Sequence, residues 1–259
     1  MTKPEISILM PAIRPQNWTK VYESILSSTR RSFELVIVGP HQLPENLLQY
    51  KNIKYVRDFG SPVRASAIGS LLCEGTFIYP THADDCFLIQ DSLDNNIDIL
   101  SKYNDEHVVV CKYSESENLS RENDYQNDDY YKIVNAYPVN PMVIPSHWLI
   151  FNSVIWYRTT FDRIGGFDCH FETCPMAHAD LAIRSQHVGI KAILSSFPLL
   201  KCGHMPGTSG DHAPIHFTQI LKDDPKFRLK YSEPLDDLVS CIDRLNWKKY
   251  PNVWKERFN

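Results

Sequence analysis

The chain reads as an α/β protein: a mostly parallel central sheet with helices on both faces. Three observations predict this. Short, continuous apolar runs recur along the first half, as buried parallel strands require. Segments with helical spacing separate them. The resulting strand–helix–strand order demands crossovers, and crossovers join parallel neighbours. With 259 residues and 43% hydrophobic content, the chain can bury a substantial core.

"ISILM" at 6–10 is the first apolar run, ended by Pro11. Asn17 stands where a cap would open a helix through "WTKVYESILSS", with Val21 and Ile25 on one face. "FELVIVG" at 33–39 and "IKYVRD" at 53–58 are the second and third strands. "SPVRASAIGSLLCEG" predicts a helix with Pro62 in its first turn and Gly75 at its end. "TFIYP" is the fourth strand. "DSLDNNIDILSKY" carries Leu93, Ile97 and Leu100 on a core-facing stripe, and "HVVVCKY" at 107–113 is the fifth strand. From about 148 an apolar strand leads into a helix stopped by Gly165–Gly166, two glycines suited to a sharp turn. "HADLAIRSQHVG" is a helix ending at Gly189, and "IKAILSSF" a further strand.

Residues 1–235 form the expected main domain, and 236–259 an amphipathic helical tail with Trp247 and Trp254 among basic residues. Such a tail packs on its own domain, pairs with another subunit, or meets a membrane surface. Between 113 and 146 the text turns polar, as in "SESENLSRENDYQNDDYYK"; it reads as a surface insertion or as a lid over a substrate. A net charge of −4 gives no basic field for nucleic acid. Seven scattered cysteines suit free buried thiols in a reducing, cytoplasmic setting. No apolar run reaches membrane-spanning length.

Chemistry concentrates in "EGTFIYPTHADDCF", where a strand runs directly into His82, Asp84 and Asp85. That grouping is either a polar turn or an ion site at the carboxyl end of a strand, where open α/β sheets bind ligands. No GxGxxG, GxxxxGK[ST] or G-x-S-x-G pattern points to dinucleotide, P-loop or hydrolase chemistry. Cys169, Cys174, Cys202, His170, His178 and His204 lack the tight spacing of zinc ribbons and fingers.

The order of these features, over roughly residues 5 to 235, resembles glycosyltransferase family 2, the nucleotide-sugar-dependent transferases of the GT-A fold. "ISILMPAIRP" is similar to the family's opening strand and turn, and "FELVIVGP" to its second strand. "GSPVRASAIGSLLCEGTFIYPTHADD" resembles the stretch that ends in D-A-D-D. "FDRIGGFDCHF" with "HADLAIRSQHVG" matches the G-G-F-D and x-D-L-x-x-R segment, the most specific part. "CGHMPGTSG" and "PKFRLKYSEP" are similar to the late histidine and the closing aromatic–basic segment.

The resemblance implies a nucleotide-sugar donor, a glycan or lipid-linked acceptor and a Mn²⁺ or Mg²⁺ ion held by Asp84, Asp85 and His204. It implies donor contacts from Pro11, Ala12, Arg14, Gly39, Arg64 and Asp84, polysaccharide biosynthesis as the setting, and peripheral contact with the inner membrane face. The base of an inverting displacement falls to His178 or Asp180, because Ala177 and His178 occupy the family's Glu-Asp pair. His178 can equally be an ordinary helix-start histidine, and His204 a satisfied loop residue. Gly39–Pro40 replaces the family's nucleobase-binding acidic pair, and Ser66–Ala67 its Arg-Asn. A catalytically degenerate GT-A binding or scaffold module is therefore the alternative expectation.

Overall fold

The strand Ile6–Pro11 (β1) sits inside the sheet because its residues can be buried on both faces. Ile6, Ile8, Leu9 and Met10 are all fully inaccessible. β1 pairs in parallel with Phe33–Gly39 (β2) on one side and Phe77–Tyr79 (β4) on the other. β2 pairs in parallel with Ile53–Arg57 (β3). The computed structural model describes residues 3–80, 83–116, 119, 125, 131–137, 139–203 and 213–232.

Together with Cys86–Leu88 (β5), His107–Glu115 (β6), Val154–Tyr157 (β7) and Lys191–Cys202 (β8), these strands form one eight-stranded sheet. Its order is β3-β2-β1-β4-β7-β6-β8-β5. β7 runs antiparallel to both neighbours, β6 and β8 are parallel, and β5 closes the edge antiparallel to β8. The carboxyl ends of β1, β2, β3, β4, β6 and β8 therefore share one edge.

Helix Trp18–Ser28 (α1) packs with Ser92–Leu100 (α3) on one face, and Pro62–Ser70 (α2) with Cys174–His187 (α6) on the other. The expected core stripes hold: Val21, Ile25, Leu93, Ile97 and Leu100 are fully buried. Short helices Ile133–Ala136 (α4) and Arg158–Arg163 (α5) lie between these elements. Ala213–Thr218 (α7), a π-helical segment 219–223 and Asp224–Lys230 (α8) follow.

Gly165 and Gly166 have φ of 86° and 65°, so the expected sharp turn is real. Arg184, fully buried on α6, donates from Nη1 to the Ile164 carbonyl and from Nη2 to that of Gly166, each at 2.6 Å. Its Nε donates to Asp180 at 2.7 Å. Lys230 and Tyr231 meet the other Asp180 oxygen at 2.5 and 2.6 Å, tying the end of α8 to α6. The residues of the x-D-L-x-x-R pattern thus build a buried clamp.

Several expectations fail for identifiable reasons. Asn17 does occupy the N-cap position of α1, but as part of a helical turn 15–17 it has helical backbone angles and its side chain makes no capping bond. Helix α2 stops at Ser70 rather than reaching Gly75. Gly75 instead lies against β1, where a Cβ would come within 2.6 Å of the Ser7 nitrogen. The polar stretch 113–146 is not surface throughout, since Tyr131, Ile133 and Ile144 are fully buried. Cys86 and Cys202 are not free thiols. They are register partners on β5 and β8 and form a disulfide. Cys73, Cys111 and Cys174 are free thiols, as expected, and Cys241 lies outside the described residues. The 236–259 tail lies outside the described residues, and among those described no helix is long and apolar enough to cross a membrane.

The disulfide closes a loop of 116 residues, for which chain entropy alone gives about 4.7 kcal/mol. Reduction with dithiothreitol, or a Cys86→Ser/Cys202→Ser chain, should lower Tm by about 10 °C in a calorimetric scan.

Candidate functional site

A cavity of about 410 Å³ lies along the carboxyl edge of the sheet. Its walls come from the ends of β1, β2, β3, β4 and β6, from the first turn of α6, and from α7. Pro11, Ala12, Arg14, Gly39, Asp84, Asp85 and His178 all line it, so most of the expected site residues converge.

Asp84 is the most heavily engaged of them. It is almost completely buried and holds the turn after β1 by its backbone and side chains. Its Oδ2 accepts the Ile13 amide at 2.6 Å, the Arg14 amide, and the Trp18 indole N–H at 3.0 Å. Its Oδ1 accepts from Arg14 Nη1 at 2.7 Å. Three of these donors converge on Oδ2 and one on Oδ1. Burial pushes the Asp84 carboxyl up, while Arg14, its amide and Trp18 oppose that shift. Asp84 therefore positions the β1–α1 turn, and only Oδ1 keeps an acceptor site for the expected metal-ligand role.

Asp85 is buried and also lines the cavity. Arg14 Nη2 stands 3.5 Å from its carboxylate, and its backbone carbonyl accepts from Gly203 N at 3.0 Å. His204, the expected third ligand, lies outside the described residues, as does His82. Among the described residues no three His, Cys, Asp or Glu side chains gather around one ion-sized position. The donor chemistry still fits a hard cation carried in with phosphate, since Mg²⁺ is ordinarily held by one or two carboxylates plus substrate oxygens. The zinc grouping that the spacing argued against also lacks the Cys202 thiol, which is bonded to Cys86.

Gly39 owes its identity to backbone contact. A Cβ there would stand 1.8 Å from the Ala12 carbonyl oxygen, so the two strand ends could not approach. No side chain of any kind, acidic ones included, fits at 39 without moving the β1 end. Arg64, expected at the donor, is turned elsewhere: its guanidinium pairs with Asp58 from Nε at 2.9 Å and from Nη2 at 2.8 Å, and it does not line the cavity. Ser61 caps α2 beside it, accepting from Arg64 N at 3.1 Å.

His178 reaches the cavity from the first turns of α6 and stacks 5.4 Å from the Phe167 ring. Burial lowers its pKa to about 4, so the ring is neutral near pH 7 and has a lone pair to offer. No carboxylate among the described residues bonds it, contrary to expectation. Asp180 does not line the cavity. Burial alone would raise its carboxyl, but Arg184 and Lys230, with the Tyr231 hydroxyl, outweigh that and hold it below its usual range. With both oxygens used in the clamp, Asp180 is corrected from candidate base to packing residue. Asp168 is likewise buried and engaged with His170 and Lys230.

Sequence reasoning missed Asp58 and Glu115, which line the cavity at the ends of β3 and β6. Asp58 follows Arg57 directly after β3 and Glu115 is the last residue of β6 after Ser114, so no apolar run ends at either of them to mark it. Tyr113, Tyr137 and Asn152 form a polar, aromatic wall; Asn152 donates to the Tyr113 hydroxyl at 3.0 Å, and the Tyr137 hydroxyl to the Pro175 carbonyl at 2.9 Å. No local pattern marked these, because tertiary packing brings them together. Among the described residues, the charged side chains lining the cavity are Arg14, Asp58, Asp84, Asp85 and Glu115, with Asp58 paired to Arg64 behind it.

No protein-family model matches the chain, and no curated protein matches it.

Asp84→Ala should destabilise the fold by about 3–5 kcal/mol in urea titration, because it strands a buried guanidinium and several N–H donors. His178 has a lowered folded pKa, so the unfolded chain takes up its proton first. Its contribution to stability should be lost as pH falls from about 6.5 towards 4, and His178→Gln should flatten that part of the profile.

Proposed function

We propose that this chain is a divergent family-2-like glycosyltransferase of the GT-A fold, moving a sugar from a nucleotide donor to a glycan or lipid-linked acceptor. One observation carries the reading: Pro11, Ala12, Arg14, Gly39, Asp84, Asp85 and His178, chosen from separate parts of the chain, line a single cavity. It lies where parallel sheets bind nucleotides and sugars, at the carboxyl ends of the strands.

In this reading the donor diphosphate lies near Arg14 and Asp85. A Mg²⁺ or Mn²⁺ ion held by Asp85 and phosphate oxygens would supply the charge neutralisation that the leaving diphosphate requires. Asp84 keeps the Ile13–Arg14 turn in place, so the guanidinium meets the ligand without reorganisation. Asp58 and Ser61 offer polar groups beside Gly39 for the nucleoside. The acceptor hydroxyl lies on the His178 side, where the neutral imidazole takes its proton in a single inverting displacement. A pKa of about 4 makes His178 a weak base, so the reaction should be slow.

The setting is polysaccharide or surface-glycan assembly with peripheral membrane contact. The Cys86–Cys202 disulfide favours an oxidising compartment over the cytoplasm. A second reading, a degenerate GT-A binding module, is favoured by one specific feature: Asp180 is locked in a structural clamp and no carboxylate orients His178.

Calorimetric titration with a panel of nucleoside diphosphates and nucleotide sugars, with Mn²⁺ and then with chelator, separates the two. The transferase reading expects metal-dependent binding of one nucleotide, abolished by Asp85→Ala. His178→Ala should then cut turnover while sparing donor affinity. An absence of binding across the panel by the folded chain would establish the module instead.

A further inference from the structure

The helical run from Ala213 to Lys230 has two dissimilar faces. Ile215, His216 and Gln219 look into the cavity, while Thr218, Asp223 and Phe227 are buried. Asp223 seats the run firmly, since its Oδ2 accepts the Glu172 amide at 2.9 Å and the Thr173 amide and hydroxyl at 2.7 Å. Away from these contacts the run displays Phe217, Leu221 and Leu229, exposed by 61%, 73% and 78%, with Ile220 beside them at 48%. The spacing 217, 221, 225, 229, with the exposed Pro225 between, makes one stripe along the helix. A folded domain gains nothing by presenting such a stripe to water.

Cations accompany the stripe. Lys222, Lys226 and Arg228 are all exposed, and Arg228 makes no ion pair among the described residues. Lys222 lies 3.5 Å from Glu172, and Lys226 is 3.8 Å from Asp223 while donating to the His170 carbonyl at 2.9 Å. Apolar side chains in line with basic ones are the chemistry of a helix that lies in the interface of an anionic bilayer. The sequence continues in the same sense, with Trp247, Lys248, Lys249, Trp254, Lys255 and Arg257 in its last turns of text.

We propose that the stripe of Phe217, Leu221 and Leu229, flanked by Lys222, Lys226 and Arg228, docks the protein on an anionic lipid surface. The apolar side chains enter the acyl boundary and the cations meet lipid phosphates. Each exposed cation should strengthen binding about fivefold near an anionic leaflet, and salt should weaken it. The same helix walls the cavity, so docking would hold the cavity mouth at the lipid surface, where a lipid-linked acceptor arrives. That last consequence rests on the transferase reading; the docking surface itself does not.

The test is co-sedimentation of the full chain with phosphatidylcholine vesicles, with and without about 30% phosphatidylglycerol. Binding to the anionic vesicles alone, weakened about tenfold by Phe217→Ser/Leu221→Ser/Leu229→Ser and by Lys222→Glu/Arg228→Glu, is the expected result. An unchanged melting temperature shows that the variants fold. Absence of vesicle binding overturns the proposal, and so does binding that the variants leave intact, which would assign the contact to residues beyond 232. A concentration-dependent dimer abolished by the serine variant, without vesicle binding, would assign the stripe to a second copy of the chain. None of these readouts uses a nucleotide, so failure here leaves the donor-binding experiment independent.

Discussion

The cavity depends on one buried carboxylate. Asp84 stands in the turn between β4 and β5, yet its hydrogen bonds all go to residues 13–18, the turn after β1 and the start of α1. Two chain segments about seventy residues apart are thereby locked at the carboxyl edge of the sheet. The backbone amides of Ile13 and Arg14 would otherwise lie unsatisfied beside a hydrophobic core, at a cost of about 1–3 kcal/mol each. The same interaction sets Arg14 between Asp84 and Asp85, where its charge is partly spent. Among the described residues, the charged side chains of the cavity are thus this arginine and the carboxylates around it.

A second polar assembly holds the opposite wall. Arg184 satisfies the carbonyls exposed by the Gly165–Gly166 turn and anchors Asp180, which in turn receives Lys230 and Tyr231 from the end of α8. Full burial would make any of these charges costly alone, and pairing makes the set tolerable. Through it the helix that carries His178 is fixed relative to the run that walls the cavity on its far side. Two residues of α6 two positions apart thus serve different surroundings: His178 faces the cavity, and Asp180 faces the clamp. A helix turns about 100° per residue, so two positions apart point to different sides.

Much of the fold was legible because burial on both faces leaves a direct trace in composition. The strands at 6–10, 33–39, 53–58, 77–79 and 107–113 could be read as unbroken apolar runs, and α3 from the spacing of Leu93, Ile97 and Leu100. The clustering of acidic residues after Tyr79 marked the cavity correctly, although it did not distinguish the two aspartates. β5 was not legible: three residues, one only half-buried, carry too little pattern, and their pairing with β8 is set at long range. Tyr131 also escaped notice, since a single buried aromatic in a polar stretch has no periodic signal.

By itself the sequence determined the class of fold, the carboxyl edge of the sheet as the place where polar side chains gather, and several of the residues lining that edge. These follow from local regularities: apolar runs, helical spacing, and polar side chains placed directly after strands. Tertiary structure alone decided what each polar residue does there. Asp84 and Asp85 are neighbours of identical chemistry that both line the cavity, yet the Asp84 carboxylate holds the turn after β1 through the Ile13 and Arg14 amides, whereas Asp85 meets Gly203 through its backbone carbonyl. Arg64 pairs with Asp58, Asp180 with Arg184, and Cys86 with Cys202. The physical reason is common to all of them: a polar group's role is set by which partners satisfy it, and those partners come from distant parts of the chain.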